Sequence, residues 1–515
     1  MALKPALVFI GFMGAGKSAA ARDVSAALGV DAHDADALLE TDAGRSVTEI
    51  FASEGEAAFR EREGRVVGDW LDRADGGVIA LGGGALGSDR VRRALRRHTA
   101  VLLEVSAHAA WQRTAGRARG GQKRPLASDR NAFDALHATR QAAYLEAADA
   151  IIPEGSRGAV VRALPSLTAL AAAPDSTKLL WARAASGEYP VWMGRGLLGR
   201  VPLRPGDAAG RAFCVSDETV AELYAGALGD LSGLVEIPPG EEHKTLATAE
   251  RVWRALAGQG VTRADHLVAL GGGVVGDLVG FCAATYQRGV PVVQVPTTVV
   301  AQVDSAYGGK TGVDLPEAKN YVGAYHQPAA VVADTATLAS LPPEEHAAGF
   351  AEVLKTALIA GGPLWDRLRA GGAVDDDIIL GCARTKLAVV AADERDGGRR
   401  QVLNLGHTVG HALETVTGYG TLRHGEAVGL GLLAALRLSG QDDLRDEVGD
   451  LLAANRLPTV GHGVDVDAVV AATLRDKKRT GPRVPFVLVH APGDVRHGED
   501  VADAELRAAV AELMR

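Results

Sequence analysis

Two histidines, His407 and His411, lie four residues apart in the stretch LNLGHTVGHALE (403–414). On a helix this spacing places both imidazoles on one face, as in the HExxH box of zinc proteases. The second position of that box is here Thr408, which cannot replace glutamate as a general base. The stretch therefore indicates metal or proton chemistry, with two alternatives. Either both histidines bind a metal, or one binds it while the other moves a proton.

A second chemical signature lies near the start of the chain, where GFMGAGKS fits the pattern G-x-x-x-x-G-K-[ST]. Backbone amides of such a loop surround phosphate oxygens at the positive end of the following helix. The same loop accounts for the apolar N-terminal run better than a secretion signal does. We expect this loop to bind a nucleotide through Gly11, Gly14, Ala15, Gly16, Lys17 and Ser18.

Five further motifs follow the loop: DAHDADALLE (31–40), GEAAFREREG (55–64), LGGGA (81–85), KRPL (123–126) and RQAAY (140–144). With them, residues 5–165 resemble shikimate kinase. The resemblance implies that Lys17 and Arg124 place positive charge around the moving phosphoryl group, with Arg124 on a mobile lid. Ser18 and Asp34 would hold Mg²⁺, and Asp36 would bind the substrate hydroxyls and act as the base.

The remaining motif residues would recognise the substrate of such a kinase. Arg60 and Arg140 would clamp the carboxylate of shikimate, a bidentate contact that lysine makes less well. Gly83 would let a backbone amide approach the same molecule. One alternative stays open, in which this segment is only an ATP-binding regulatory module.

The second half of the chain carries a glycine turn, GGGVVGDLVGF (271–281), which could admit a dinucleotide or be merely structural. Its neighbours are more specific: PPGEEHK (238–244), PTTVVAQVDSAYGGKTGV (296–313), EAKNYVGAYHQP (317–328), AEVLK (351–355), DERDGGRRQVLNLGHTVGHALE (393–414), RHGEAV (423–428) and RDKK (475–478). With these motifs, residues 180–500 resemble 3-dehydroquinate synthase. The resemblance implies an NAD-dependent and zinc-dependent carbon–oxygen lyase that cyclises a seven-carbon keto-acid sugar phosphate.

The resemblance also separates the roles of the two histidines. Zn²⁺ or Co²⁺ would be bound by Glu352, His407 and His424. His411 would face the same cavity without ligating, and would handle protons or contact the departing phosphate. The protease alternative is disfavoured by Thr408.

The remaining synthase residues divide into cofactor and substrate contacts. NAD would be contacted by Glu241, Lys244, Gly273, Val274, Val275, Gly276, Asp277, Thr297, Thr298, Lys310 and Lys319. Catalysis would involve Lys310, Lys355, Lys386, Arg400, Asn404 and His411. Further substrate contacts would come from Asp304, Asn320 and Lys478.

Two alternatives stay open for this half. Ala306 and Tyr307 depart from the residues that are frequent in the family, which leaves room for a related sugar-phosphate cyclase. A metal-dependent polyol dehydrogenase would also use a glycine turn and histidine ligands. It would accumulate NADH, whereas the synthase returns the hydride within each turnover.

Composition sets the broad class. The 515 residues are 47% hydrophobic and 23% charged with a net charge of −9, which argues against a nucleic-acid surface. Cys214, Cys282 and Cys382 are too few and too scattered for a disulfide framework, which suits a reducing compartment. No apolar run is long enough to cross a membrane. We expect a cytoplasmic protein.

The pattern of elements predicts an α/β fold. Short apolar strands alternate with helices from residue 6 onward and again from residue 213, which predicts parallel sheets, and helices dominate after residue 341. We expect a P-loop kinase-like domain at 1–168, a linker at 169–178, an NAD-binding α/β domain at 179–340 and a helical metal and substrate domain at 341–515. A homodimer through the synthase half and a bifunctional shikimate-pathway enzyme are implied by the two resemblances.

Overall fold

The computed structural model describes residues 5–115, 129–155, 158–203, 210–418, 421–473 and 485–514. The chain divides into two compact units. The first comprises residues 1–183 with 190–192 and 200–202, and the second comprises 184–189, 193–199 and 203–515. Each unit contains a parallel sheet with helices, so the predicted α/β class is confirmed.

The first unit contains a parallel sheet in the order β2-β3-β1-β4-β5-β6. Apart from β2, whose residues are partly or fully exposed, its strands are mostly apolar and buried, as expected of a sheet covered on both faces. Their bounds are β1 Leu7–Ile10, β2 Ala32–Asp34, β3 Val78–Ala80, β4 Thr99–Leu103, β5 Ala150–Ile152 and β6 Lys178–Ala184.

Four of the described helices in the first unit, α2, α3, α4 and α6, begin at a residue whose side chain caps them. Ser46 and Glu49 form a reciprocal capping box at the start of α3, and Asp34 caps α2. Gly55 interrupts α3 with a non-helical conformation. The helices are α1 Lys17–Leu28, α2 Ala35–Ala43, α3 Val47–Arg73, α4 Asp89–Leu95, α5 Ala107–Ala115, α6 Arg130–Ala147, α7 Ala159–Arg162 and α8 Leu164–Leu170.

The segment 169–178, which the sequence predicts to be a linker, connects the last helix of the first unit to a strand. Helix α8 continues to Leu170, and strand β6 begins at Lys178. Leu167 and Leu170 are buried, so part of this alanine-rich stretch packs against the first unit. The linker stays a prediction, and the first compact unit continues to residue 183.

The second unit contains a parallel sheet with the strand order β14-β11-β10-β8-β9. Two antiparallel hairpins, β12–β13 and β15–β16, form separate two-stranded sheets in the same unit. The bounds are β7 Gly187–Gly194, β8 Ala212–Asp217, β9 Gly233–Ile237, β10 His266–Gly271, β11 Val292–Pro296, β12 Lys310–Leu315, β13 Ala318–Tyr325, β14 Ala330–Asp334, β15 Phe486–Ala491 and β16 Asp494–Glu499.

Helices dominate the second unit after residue 341, as the sequence predicts. Among the described helices, none is both long and apolar enough to cross a membrane. Their bounds are α9 Glu218–Tyr224, α10 Leu246–Gly258, α11 Gly273–Thr285, α12 Pro343–Ala360, α13 Gly362–Arg369, α14 Asp376–Ala392, α15 His407–Val416, α16 His424–Leu438, α17 Asp442–Ala454, α18 Val466–Thr473 and α19 Asp503–Leu513.

Candidate active sites

The glycine loop of the first unit follows β1 and leads into α1. Gly11 has a φ of 135°, and a Cβ there would lie 2.6 Å from the carbonyl oxygen of Leu103. Only glycine therefore fits this close backbone approach. The ammonium of Lys17 folds across the loop and donates to the carbonyls of Gly11 at 2.8 Å and Phe12 at 3.0 Å. The loop thus places Lys17 and Ser18 at the N-terminus of α1, where a phosphate would be stabilised.

The other predicted loop residues form a tight turn before α1. Gly14 and Gly16 both have a positive φ, and the amide of Ala15 donates to the carbonyl of Phe12 at 3.3 Å. Asp34 ends β2 and accepts a hydrogen bond from the amide of Asp36 at 3.0 Å. Arg124 lies outside the described residues.

The predicted substrate residues of the first unit converge on the turn Gly82–Gly84 that follows β3. A Cβ on the last glycine would overlap the guanidinium of Arg60, and one on Gly83 would lie 3.6 Å from Nη1 of Arg140. A Cβ on Gly82 would lie 4.0 Å from Oδ1 of Asp36. Two guanidinium groups and a carboxylate therefore lie around a turn that lacks side chains, and the backbone of the turn is close to all three.

Glu63 belongs to this site, although the sequence analysis did not single it out. Its side chain is 2% exposed, and Oε2 lies 2.6 Å from Nη1 of Arg60. Burial raises the pKa of Glu63, whereas Arg60 opposes that rise. The i,i+3 spacing from Arg60 was the sequence signal that could have identified it.

The glycine turn of the second unit joins β10 to α11. The amide of Thr297, at the end of β11, donates to the carbonyl of Gly271 at 3.0 Å, and the Thr298 side chain lies beside Gly272. The side chain of Val275 belongs to the core and packs against Gly271, where a Cβ would lie 2.6 Å from its Cγ2. The turn and both threonines lie at the carboxyl ends of neighbouring parallel strands, where nucleotides bind in such folds.

A buried cluster of charges lies near this turn, around Lys244. The Lys244 side chain is 4% exposed, and its ammonium lies 2.7 Å from Glu241, 3.5 Å from Asp277 and 3.8 Å from Asp314. Burial would lower the pKa of Lys244, but these three carboxylates outweigh it and raise the pKa. Burial raises the pKa of Asp277 to about 6, against the attraction of Lys244. Asp314 was not singled out in the sequence.

Three predicted metal ligands converge from three helices. Oε1 of Glu352, on α12, lies 3.4 Å from Nε2 of His407 on α15 and 3.3 Å from Nε2 of His424 on α16. One ligand atom from each residue lies within 4.8 Å of the others. A carboxylate and two imidazoles at this spacing are a donor set that suits Zn²⁺ or Co²⁺.

One ligand of this trio would have to lose a proton to a cation: burial would lower the pKa of His424, but Glu352 and Glu414 raise it to about 9. The other two ligands already have the ionisation that a cation requires. Burial holds the pKa of His407 well below its usual range, so this imidazole is neutral. Burial alone would raise the pKa of Glu352, but Lys355 and the two histidines hold it well below the usual range. Both buried carboxylate oxygens of Glu352 lack a well-formed hydrogen bond. The side chains present therefore fit a divalent metal ion.

His411 and Glu414 extend the trio along α15. The rings of His407 and His411 are 5.2 Å apart, which places His411 on the same helix face, as the sequence predicts. Glu414 is 3% exposed, and Oε1 lies 3.5 Å from Nδ1 of His424. Its pKa falls to about 2, because His424 and Lys319 outweigh the effect of burial. Glu414 is not part of the predicted site, although it follows His411 by three residues and so lies on the same helix face.

Predicted substrate residues form a second charge cluster beside the trio. A turn of π-helix, Ala301–Ser305, presents Asp304, and such turns occur frequently at functional sites. Asp304 binds the ammonium of Lys355 at 2.7 Å and also that of Lys386. Lys355 in turn pairs with Glu352. Burial lowers the pKa of Lys386 to about 7, with Arg400 acting in the same direction.

The other predicted synthase residues are placed as follows. Lys310 pairs with Asp396 at 2.5 Å, and Asn320 lies in the β12–β13 hairpin with a φ of 53°. Arg400 is 1% exposed and donates to the backbone carbonyls of Gly308 and Glu394, so it also holds two loops together. Asn404 ends a 3₁₀ turn just before α15. Lys478 lies outside the described residues.

Comparison with known proteins identifies the second unit. Family models of the 3-dehydroquinate synthase N-terminal and C-terminal parts match residues 217–348 and 349–479. A curated 3-dehydroquinate synthase of Halorhodospira halophila is 45% identical over 331 residues, which span 61% of this chain and 93% of the relative. The chain belongs to the 3-dehydroquinate synthase family. A second member, from Geobacter metallireducens, is 45% identical over 54% of this chain and 83% of its own length.

The first unit matches a different family. The shikimate kinase model covers residues 13–166, so the 3-dehydroquinate synthase is fused to a shikimate kinase domain. This confirms the predicted fusion of two enzymes of the shikimate pathway. The two activities therefore reside in one polypeptide.

Solved structures also resemble the synthase part. The 2-epi-5-epi-valiolone synthase of Streptomyces hygroscopicus, solved with NAD⁺ and Zn²⁺ bound, is 28% identical with a TM-score of 0.59 over 63% of this chain and 96% of its own. A 2-deoxy-scyllo-inosose synthase, complexed with carbaglucose-6-phosphate, NAD⁺ and Co²⁺, is 25% identical with a TM-score of 0.57 over 65% and 99% of the two chains.

Proposed function

We propose that the second unit converts 3-deoxy-D-arabino-heptulosonate 7-phosphate into 3-dehydroquinate and phosphate, and that the first unit transfers the γ-phosphoryl group of ATP to the 3-hydroxyl of shikimate. The convergence of Glu352, His407 and His424 beside a cluster of lysines carries the synthase part of the proposal. The set of Arg60, Arg140 and Asp36 around the Gly82–Gly84 turn supports the kinase part.

The cofactors of the synthase follow from its donor groups. NAD would bind at the β10–α11 turn near Thr297 and the Lys244 cluster, and Zn²⁺ or Co²⁺ would be held by the trio. When bound, NAD accepts and returns a hydride, and a divalent cation makes a nearby hydroxyl more acidic. The similar cyclases solved with NAD⁺ and Zn²⁺ or Co²⁺ support this assignment.

Side chains of this chain would then bind and orient the keto-acid phosphate. Lys310 and Lys386 are held in place by Asp396 and Asp304, and an arriving phosphate or carboxylate would exchange with these side-chain carboxylates. Lys355 stays fixed between Asp304 and Glu352, so its charge remains beside the trio. His411 would take up or release the proton at the departing phosphate.

In the kinase unit, positioning carries the chemistry. Phosphoryl transfer needs positive charge and alignment more than covalent help. Lys17 at the phosphate loop would exchange its contacts with loop carbonyls for phosphate oxygens. Asp36 would orient and deprotonate the hydroxyl, and Ser18 and Asp34 would hold Mg²⁺. Arg124 would supply charge from the lid.

Phosphate release tests the synthase proposal. The intact chain, given NAD⁺, Zn²⁺ and the seven-carbon substrate, should release one phosphate per product without accumulating NADH. A chelator should stop the reaction, and added Zn²⁺ should restore it. Stoichiometric NADH would favour a polyol dehydrogenase instead. Turnover of a six-carbon sugar phosphate in place of the seven-carbon substrate would favour a related cyclase.

Phosphoryl transfer tests the kinase proposal. The chain should phosphorylate shikimate in the presence of ATP and Mg²⁺. ATP binding without transfer would favour the regulatory module. A cytoplasmic location and a homodimer formed through the synthase half are part of the proposal, and cell fractionation and sedimentation would test them.

A further inference from the structure

His424 lies between two carboxylates, one at each ring nitrogen. Nε2 is 3.3 Å from Oε1 of Glu352, and Nδ1 is 3.5 Å from Oε1 of Glu414. The first carboxylate belongs to the proposed cation site, whereas the second lies on the opposite edge of the imidazole. A histidine that presents one nitrogen to a metal usually has its other nitrogen bound to a carboxylate or carbonyl, which fixes the ring orientation.

Glu414 is itself held in place. It is 3% exposed on α15, and its Oε1 accepts a hydrogen bond from Nζ of Lys319 on β13 at 3.2 Å. The carboxylate is thus fixed by its own helix and by the hairpin. Because it cannot swing into solvent, it can restrain the partly exposed ring of His424.

We propose that Glu414 is a positioning residue that orients His424 for the divalent cation and ties the cation site to the β12–β13 hairpin. The inference rests on the proposed cation site, and its test separates the two. Removal of Glu414 leaves Glu352, His407 and His424 in the chain but frees the His424 ring. The cation should therefore still bind, with lower affinity and altered geometry.

The test measures Co²⁺ binding by the intact chain. Competition with a chelating dye gives the dissociation constant, and the visible Co²⁺ spectrum reports the coordination geometry. Glu414→Ala should weaken binding by about 10- to 100-fold and shift the spectrum. Glu414→Gln keeps an acceptor oxygen and loses the charge, so it should weaken binding by about 10-fold. Far-UV circular dichroism of the metal-free variants checks folding.

Glu345→Gln is the matched control. Glu345 pairs with Arg423, the residue before His424, at 3.3 Å, and it touches none of the proposed ligands. This variant removes the same charge near the same helix end, and it should keep the wild-type affinity and spectrum. If Glu414→Ala does not fold, the Co²⁺ affinities and spectra of Glu414→Gln and Glu345→Gln are compared instead, and only the first variant should differ from the wild type.

Three results would overturn the inference. One is wild-type Co²⁺ affinity and spectrum in the Glu414 variants. Another is the binding of two Co²⁺ ions per wild-type chain with loss of one in Glu414→Ala, because His411, Glu414 and His424 also present ligand atoms within 4.8 Å and would then hold a second ion. The third is a wild-type chain that binds no Co²⁺, which would overturn the proposed cation site as well.

Discussion

Charged side chains in the interior of the synthase unit are stabilised by partners of opposite sign. Lys244 and Lys355 are both buried, and each lies among carboxylates. Desolvating a charge without a partner costs several kcal/mol, and the neighbouring carboxylates offset that cost for these two lysines. These clusters lie where nucleotide and substrate are proposed to bind. A bound ligand with negative groups could therefore replace some of the carboxylates as the partner of a lysine.

Asp277 should make the stability of the synthase unit depend on pH. Its native pKa is about 6, above the ordinary value of 3.8, so between about pH 4 and pH 6 the native state retains a proton that the unfolded state has lost. The contribution of Asp277 to the free energy of unfolding therefore declines as the pH rises through this window, by about 3 kcal/mol at most. Asp277→Asn should remove this dependence.

Hydrogen exchange of the α10 and α11 amides at a series of pH values measures this effect within the unit. Glu250→Gln is the control, because Glu250 lies on the exposed face of α10. This variant should retain the wild-type pH dependence. If the change of exchange protection with pH is the same in Asp277→Asn as in the wild type, the native pKa of Asp277 is not raised.

The sequence predicted residues that belong to recognisable motifs, but not all of their partners. Glu352, His407 and His424 were named in advance and lie together. Glu63, Glu414 and Asp314 were missed. Asp314 reaches Lys244 only through the fold of the β12–β13 hairpin, a contact that no local spacing indicates.

Close helix packing sets the distance between the proposed ligands. Gly425 follows His424 on α16, and a Cβ there would overlap the backbone of Ala348 on α12. Gly431 on the same helix approaches the carbonyl of Gly406 at the start of α15 just as closely. Glycine is therefore required where α16 contacts the two helices that carry Glu352 and His407.

Gly425→Ala should displace α16 from α12. The added methyl group has no room, and overpacking of this kind costs about 1–3 kcal/mol. Zn²⁺ affinity should also fall, because the displaced α16 carries His424 away from Glu352, and each 1.4 kcal/mol lost from binding lowers the affinity about tenfold. Thermal unfolding and a Zn²⁺ titration measure the two effects.

Gly258→Ala at the exposed end of α10 is the control, because a Cβ there meets nothing within 4 Å. It should be neutral or slightly stabilising. A stable Gly425→Ala variant with wild-type Zn²⁺ affinity would contradict the packing argument.

Apolar strands and long helices could be predicted, whereas polar hairpins could not. The sequence predicted strands at 6–12 and 266–273, and β1 and β10 lie within them. The β13 strand was not predicted, since Lys319, Asn320 and exposed Tyr321 do not form an apolar run. Helix α8 was assigned partly to a linker because alanine and serine give little periodicity.

The whole chain carries two sets of chemistry in two compact units. Each unit has its own parallel sheet and its own glycine turn at the carboxyl end of a strand. The described residues of each proposed site lie within one unit. For a substitution in one unit, the activity of the other unit in the same chain therefore serves as the control.

Asp36→Asn and Glu352→Gln should have separable effects in the intact chain. The first should lower shikimate phosphorylation by about 10²- to 10⁴-fold, the usual contribution of a general base, while ATP binding and phosphate release from the keto-acid phosphate persist. The second should abolish Zn²⁺-dependent phosphate release and leave the kinase rate unchanged. Both rates are measured on one preparation. Loss of both activities in either variant would contradict independent sites.

Anomalous diffraction at the zinc edge, from crystals of the chain grown with Zn²⁺, tests the cation site most directly. We predict one peak in the synthase unit, about 2.0–2.2 Å from a carboxylate oxygen of Glu352 and from Nε2 of both His407 and His424. Absence of a peak among these three side chains, or a peak bound to His411 in place of His407, would contradict the account.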